Sequence, residues 1–285
     1  MNAISPAVQG AFWMLISGTC YVASATLMRQ LGDAYSFYEL TFIRAVVAVV
    51  MLAPVFLRRT GRQLWPERPM AVLVTGLFSY LGILFWMAAA SVMPVGDFFA
   101  LQFITPLFTI AFAIFFLRER ADLASWVATL VGFVGVLVVL RPGMIEITFG
   151  AMAALLSSFF YASVNTIIKS LSRTLSATAI VFYANFLLVP IALPMALLDW
   201  KTPLVADLPL ILGVGVLSTL GYVLVTKGIS MAPARVVQPV NFMRMPIGAA
   251  FGWVLFSEFP DLWTWIGAVV IFCATSYAVR RGSRK

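Results

Sequence analysis

A chain of 285 residues that is 62% hydrophobic and 11% charged has too little polar surface to coat a water-soluble globule. Its formal net charge of +8 does not mark a nucleic-acid binder, because the Lys and Arg residues sit between apolar segments and form no basic patch. There is no histidine, and the two cysteines, Cys20 and Cys273, lie in opposite halves without ligand-type spacing, so no metal site and no cofactor is expected. The composition describes an integral membrane protein in contact with lipid.

Ten apolar runs approach or reach the roughly 20 residues that cross a bilayer as a helix. In chain order they lie at Val8–Met28, Ser36–Leu57, Met70–Ala90, Val95–Leu117 and Leu123–Leu140, then at Phe149–Ile168, Ala177–Leu198, Leu208–Thr226, Val236–Phe256 and Leu262–Val279. Several are too long for strands and show no alternation, so the expected fold is all-α with ten transmembrane helices and no barrel. No Lys or Arg precedes the first run, which therefore reads as a span and not as a cleaved signal peptide.

The stretch Gly76 to Gly143 occurs twice. A shift of 139 positions gives 17 identities in 68, about three times what so apolar a composition produces by chance. It pairs Gly76, Ser79 and Gly82 with Gly215, Ser218 and Gly221, and Glu119, Asp122 and Trp126 with Glu258, Asp261 and Trp265. With a shift of 140 the first two runs join in: Gly10, Ser17, Tyr21 and Thr26 meet Gly150, Ser157, Tyr161 and Thr166, and Arg29 meets Lys169. Each repeat is five helices, residues 1–143 and 144–285. Because five is odd, the second copy must enter the bilayer from the opposite side, giving an inverted repeat within one structural unit. With a cytoplasmic N-terminus, 14 of the 19 Lys and Arg residues fall on the inner side and 3 on the outer, which places both termini in the cytoplasm of a multi-pass inner-membrane protein.

Ionisable groups within apolar spans are costly and usually face a cavity, so they lead the search for function. In the ninth run Gln238, Asn241, Arg244 and Gly248 share one helical face, and Phe99, Gln102, Thr105 and Thr109 share the corresponding face of the fourth. Pro106, Pro239 and Pro246 interrupt these runs and free carbonyls beside the polar faces. Interhelical bonding alone would also explain Gln102 and Asn241. Arg44, with Tyr38 and Thr41 on its face, suits a substrate carboxylate; neutralisation by Glu39 or another buried carboxylate, or snorkelling to a headgroup, are its other roles. Glu39 is a candidate for proton coupling, ahead of Asp97, whose place at a helix start suits capping.

In the sixth run Ser157, Tyr161, Asn165 and Lys169 recur every four residues, with Lys169 at the inner end as a positive-inside anchor. Tyr161 and Asn165 lie deeper, and Tyr80, Trp86 and Phe99 supply aromatic walls unless they face lipid. Gly76, Gly82, Gly215 and Gly221 permit either bending of the third and eighth helices or static close packing. The acidic pairs Glu119 with Asp122 and Glu258 with Asp261 are explained by helix starts.

The segment Pro106 to Pro142, with Leu117-Arg118-Glu119-Arg120 leading to Trp126 and closing on Leu140-Arg141-Pro142-Gly143, resembles the end of an EamA unit, and the stretch around Ser257-Glu258 resembles a second. The whole chain is similar to the drug/metabolite transporter superfamily, in particular EamA-type ten-helix exporters, and in general appearance to a YddG-like exporter of aromatic and other neutral amino acids. The resemblance implies a central cavity lined by helices one to four and six to nine, with five and ten peripheral. It does not extend to the four-helix multidrug members, whose glutamate in the first helix is missing here.

The expected activity is export of small metabolites, neutral or aromatic amino acids foremost, by alternating access and as a monomer. In that reading Arg44 or Arg244 takes the carboxylate, Gln102, Asn241 and Asn165 hydrogen-bond the solute, and Tyr38, Tyr80, Phe99 and Tyr161 contact its remainder. Export of drugs or amphiphiles is the rival within transport. An intramembrane enzyme lacks a positioned nucleophile and base, so no catalytic residue is assigned.

Overall fold

The computed structural model describes residues 5–31, 34–59, 66–93, 98, 101–102, 104–118, 123–140, 148–257 and 262–283. The first repeat contributes α1 (Pro6–Leu31), α2 (Phe37–Arg59), α3 (Pro69–Val92), α4 (Ile104–Leu117) and α5 (Leu123–Leu140). The second contributes α6 (Phe149–Leu171), α7 (Ala177–Leu198) and α8 (Leu208–Met231), then a four-residue turn of helix at Ala234–Val237, a 3-10 stretch at Gln238–Met243, α9 (Arg244–Phe256) and α10 (Leu262–Ser283). Of these, α1, α2, α3, α6, α7 and α8 are long and apolar enough to cross a membrane, which is the same trio in each repeat. Exposed Phe12, Val50, Leu57, Phe115, Phe116, Phe186 and Phe272 give the outer surface its lipid-like character.

Local chemistry explains the helix starts. Thr148 opens α6 by accepting the Ala151 N–H, and Ser176 opens α7 by accepting the Ala179 N–H. Pro stands in the first turn of α3 and of α8, where no N–H is needed. Within the helices, Thr26, Thr41, Thr75, Thr166 and Thr219 donate their hydroxyls to carbonyls four residues back, so these polar side chains cost little in apolar surroundings.

The packing obeys the two-fold exchange that the repeat demands. α1 runs along α8, and its repeat mate α6 runs along α3, the mate of α8. α2 packs on α7 and α5 on α10, each helix on its own mate. α3 rests on α7 as α8 rests on α2, and α4 on α6 as α9 on α1. The same exchange holds residue by residue. A Cβ added at Gly76 would come 3.1 Å from Leu187 Cβ, and one at Gly215 would come 2.9 Å from Val47 Cγ1, where Val47 and Leu187 are themselves repeat mates. These glycines are therefore points of close crossing between α3 and α7 and between α8 and α2. Phe56 and Phe182 stack across α2 and α7 at 4.2 Å.

Two expectations need correction. α1 and α8 extend beyond their expected ends, to Leu31 and Met231, because polar and charged residues at a helix end need not leave the helix. The fourth run is helical at each described position up to Leu117, at Phe98, Leu101 and Gln102 and continuously from Ile104. The ninth run is not one helix. Pro239 lacks an N–H to donate, and the chain winds through Gln238–Met243 in 3-10 form before α-helix resumes at Arg244. α4 and α9 both end in a left-handed residue, Arg118 at φ 53° and Ser257 at φ 57°, and these two are repeat mates. The Ser257 N–H closes the end of α9 by donating to Trp253 O at 3.1 Å.

One end of the bundle is tied by Tyr35, which lies between α1 and α2. Its hydroxyl donates to Asp207 Oδ2 at 2.6 Å and accepts the Leu204 N–H at 3.0 Å. The bond to the Asp207 carboxylate pushes the Tyr35 phenol above its ordinary value, so this tie stays protonated through the physiological range.

The crossings yield a prediction. Gly76→Val and Gly215→Val each place a branched side chain where even a Cβ is crowded, and each should cost about 1–3 kcal/mol. The check is the melting temperature of purified protein in detergent, and an unchanged value for both variants would show that the helices are not held at these points.

Candidate functional site

Polar groups converge where α1, α2, α3, α6, α8 and the start of α9 meet. Arg44, two turns into α2, is 4% exposed. Its Nε donates to Ser218 Oγ on α8 at 2.7 Å, while Nη1 is buried with no hydrogen-bond partner. Ser218 in turn donates to Val214 O at 2.6 Å, so its hydroxyl holds the guanidinium to α8. Arg244, the first residue of α9, packs its stem on Gly18 of α1, where a Cβ would lie 3.0 Å from Arg244 Cγ. Its guanidinium carbon stands 4.8 Å from the centre of the Tyr21 ring, a cation–π arrangement, and its Nε is buried and unpartnered. Among the described residues neither arginine has a carboxylate partner.

Tyr21 on α1 and Tyr161 on α6 are repeat mates, and both lie within electrostatic reach of Arg44 and of Arg244. Tyr222 on α8 joins them near Arg44, with its hydroxyl 3.1 Å from Ser79 Oγ on α3. Ser79 and Ser218 are also mates, so each copy uses the same serine to hold a polar side chain of another helix. Gly221 and Gly82 make room for the two rings: a Cβ at Gly221 would lie 3.2 Å from the Tyr21 ring, and one at Gly82 would lie 3.6 Å from the Tyr161 ring. Tyr21, Tyr161 and Arg244 are each partly buried.

The structure therefore brings Arg44, Arg244 and Tyr161 together, and Asn165 lies one turn beyond Tyr161 on α6 with no hydrogen-bond partner for its amide among the described residues. Gln102 is engaged elsewhere: its Nε2 donates to Ser157 Oγ and to Ala154 O, and its Oε1 accepts the Ser158 hydroxyl, so its amide joins the fourth run to α6. Asn241 donates to Gln238 Oε1 at 2.7 Å within the 3-10 stretch and leaves its own Oδ1 buried and unpartnered. Tyr80 is buried among the apolar residues of one core cluster, beside Tyr38. Phe99 and Asp97 lie outside the described residues. Glu39 is fully buried and accepts the Lys201 N–H at 3.2 Å; its charged neighbours are Asp199 and Lys201, not Arg44. The mutual neutralisation of Glu39 and Arg44 is thus not formed, since a spacing of five along a helix turns the two side chains apart.

Sequence reasoning passed over Tyr21, Ser79, Ser218 and Tyr222 as site residues. Tyr21 carried a signal, because the repeat pairs it with Tyr161, and the two serines are likewise identical between copies. Tyr222 had none, since its mate is Ile83. Lys169 at the end of α6 donates to Ile229 O and Ala232 O at 2.7 Å each, so it caps the end of α8.

Two inverted repeats that bring together aromatic hydroxyls and cations without a carboxylate partner among the described residues form the arrangement of a membrane carrier for small solutes. The chain belongs to the EamA-like transporter family, whose pattern matches residues 8–141 and again 148–280. It is similar to a riboflavin transporter of Rhizobium johnstonii, at 30% identity over 288 residues covering 99% of this chain and 94% of that one. It is also similar to an S-adenosylmethionine uptake transporter of Rickettsia bellii, at 29% identity over 95% of this chain and 93% of that one. A pseudopaline exporter of Pseudomonas aeruginosa is 28% identical over 92% of each chain. The chain is accordingly a multi-pass membrane transporter of small metabolites and not an enzyme. The expected resemblance holds at the level of the family, and these relatives do not single out a YddG-like amino-acid exporter.

Removal of the hydroxyl in Ser218→Ala would leave Arg44 Nε a buried donor without an acceptor, at a cost of about 1–3 kcal/mol, whereas Ser79→Ala should cost about 0.5–1.5 kcal/mol because Tyr222 is neutral. Melting temperatures of the two variants in one detergent should rank in that order, and the reverse order would show that Ser218 does not hold the guanidinium.

Proposed function

We propose that this protein carries small metabolites bearing a carboxylate and a planar or apolar part across the membrane by alternating access around the cluster of Arg44, Arg244, Tyr21 and Tyr161. The observation that carries the reading is that two guanidiniums at the junction of the repeats have no anionic partner among the described residues, although burying an unpaired charge costs several kcal/mol. A bound anion supplies the missing partner. Asn165, with its amide unengaged, offers the solute a further hydrogen bond, and the tyrosine rings offer it a stacking surface. Export of neutral or aromatic amino acids is the narrower version of this reading. It has less support, because an ammonium group would meet two guanidiniums and no carboxylate of the cluster. The relatives' names include both uptake and export, so the direction proposed here, outward, rests on the family resemblance alone.

The division into repeats at 143 and 144 is part of the proposal and is supported by the two family matches on either side of it. So are an inner-membrane location with both termini cytoplasmic, supported by the distribution of Lys and Arg, and a monomeric working unit, supported by a site enclosed within one chain. Gly76 and Gly215, as crossing points, are the proposed pivots of the rocking motion, with Gly82 and Gly221 beside the site. Glu39, whose Oε1 is buried and unpartnered, is the proposed group for any proton coupling.

The test is uptake of labelled carboxylates into proteoliposomes and their counterflow, with and without a pH gradient. Arg44→Gln and Arg244→Gln should each lower apparent affinity about 10- to 100-fold, the worth of one charge-assisted hydrogen bond, while the protein keeps its melting temperature. Full transport by both variants would remove the assigned roles. In the same vesicles Glu39→Gln should abolish any stimulation by a pH gradient, and stimulation that persists would clear Glu39 of that role.

A further inference from the structure

We infer that the central site takes a dianion whose two negative charges lie on separate groups, one for each arginine, with a planar body between them. This rests on the transport reading above and names the class of solute that the same site accepts. Arg44 comes from the first repeat and Arg244 from the second, and the rings of Tyr21 and Tyr161, both within electrostatic reach of each cation, come one from each repeat as well. The rings are repeat mates, but the charges are not: the mate of Arg44 is Ala184 and the mate of Arg244 is Thr105. The aromatic surface thus follows the two-fold relation, while the cations form a pair that the duplication did not supply twice.

The two guanidiniums are held differently, and neither has a carboxylate partner among the described residues. Arg44 is fixed through Nε to Ser218 and presents its remaining nitrogens, of which Nη1 is buried without a partner. Arg244 makes no hydrogen bond among the described residues and is held by the Tyr21 ring and by the space that Gly18 leaves. A solute with one carboxylate would neutralise one of them and leave the other buried and bare. A zwitterion would add a third cation. A solute with a charge on each side of a ring satisfies both arginines and lets the ring lie against the tyrosines.

The experiment is calorimetric titration of the full chain in nanodiscs, in gluconate buffer, with four probes: 1,4-phenylenediacetate, its monomethyl ester, phenyl phosphate and phenylalanine. 1,4-Phenylenediacetate should bind at least about 10-fold more tightly than each of the others, since it alone forms both charge-assisted contacts. Arg44→Gln and Arg244→Gln should each bring the diacid and its monoester to within about 2-fold of one another. Equal binding of diacid and monoester by the unmodified protein overturns the inference, and needs no variant to fold. Phenyl phosphate matching the diacid also overturns it, because one dianionic group would then suffice. Full displacement of the diacid when gluconate is replaced by chloride would show that inorganic ions satisfy the site, with the same consequence. Preferential binding of the diacid without transport of any probe would leave this inference standing and overturn the transport reading; transport without that preference would do the reverse.

Discussion

The exchange of partners between the repeats is the constraint on which the rest of the structure depends. α1 lies along α8 and α6 along α3, so neither repeat can bury its own helices without the other. In an apolar solvent the hydrophobic effect gives little reason for helices to associate, and close approach at small residues takes over. Gly76 against Leu187 and Gly215 against Val47 show this at repeat-related points. The same crossings bring helices of both copies to the centre, which is why groups more than a hundred residues apart in sequence, such as Arg44 and Ser218, come to share a hydrogen bond.

That shared centre changes the meaning of its charges. An arginine facing lipid can snorkel, and one facing water needs no partner, but Arg44 does neither. The surrounding serines, threonines and tyrosines are largely engaged with backbone carbonyls or with one another, so they offer dipoles and no counter-charge. On the proposed reading, what neutralises the site enters and leaves between the two repeats as the transported solute.

Much of this was legible in the sequence. The ten runs and the five-helix repeat followed from hydropathy and self-similarity, because membrane spans announce themselves by length and a duplication by identities at one shift. Arg44 and Arg244 stood out because charge within apolar runs is rare. The limits were equally physical. Polar residues at spacing three or four share a face, but which helix that face meets is a tertiary fact; Gln102 proved to face α6 and Tyr80 the apolar core. Tyr222 gave no sign because its repeat mate is an isoleucine. Glu39 and Arg44 looked like a pair by proximity in sequence, yet the bend of the chain at the end of α7 gives Glu39 the Lys201 N–H as its partner.

The 3-10 stretch ahead of α9 has a geometrical effect on the charge that follows it. Six residues of 3-10 helix advance about 12 Å, where an α-helix would advance about 9 Å, and they wind about a third of a turn further. Arg244 is thus delivered at a depth and an angle set by backbone pitch upstream of it. Since its side chain makes no hydrogen bond among the described residues, the placing of this cation is a property of the main chain around Pro239, and the side chain keeps its full donor capacity for whatever occupies the site.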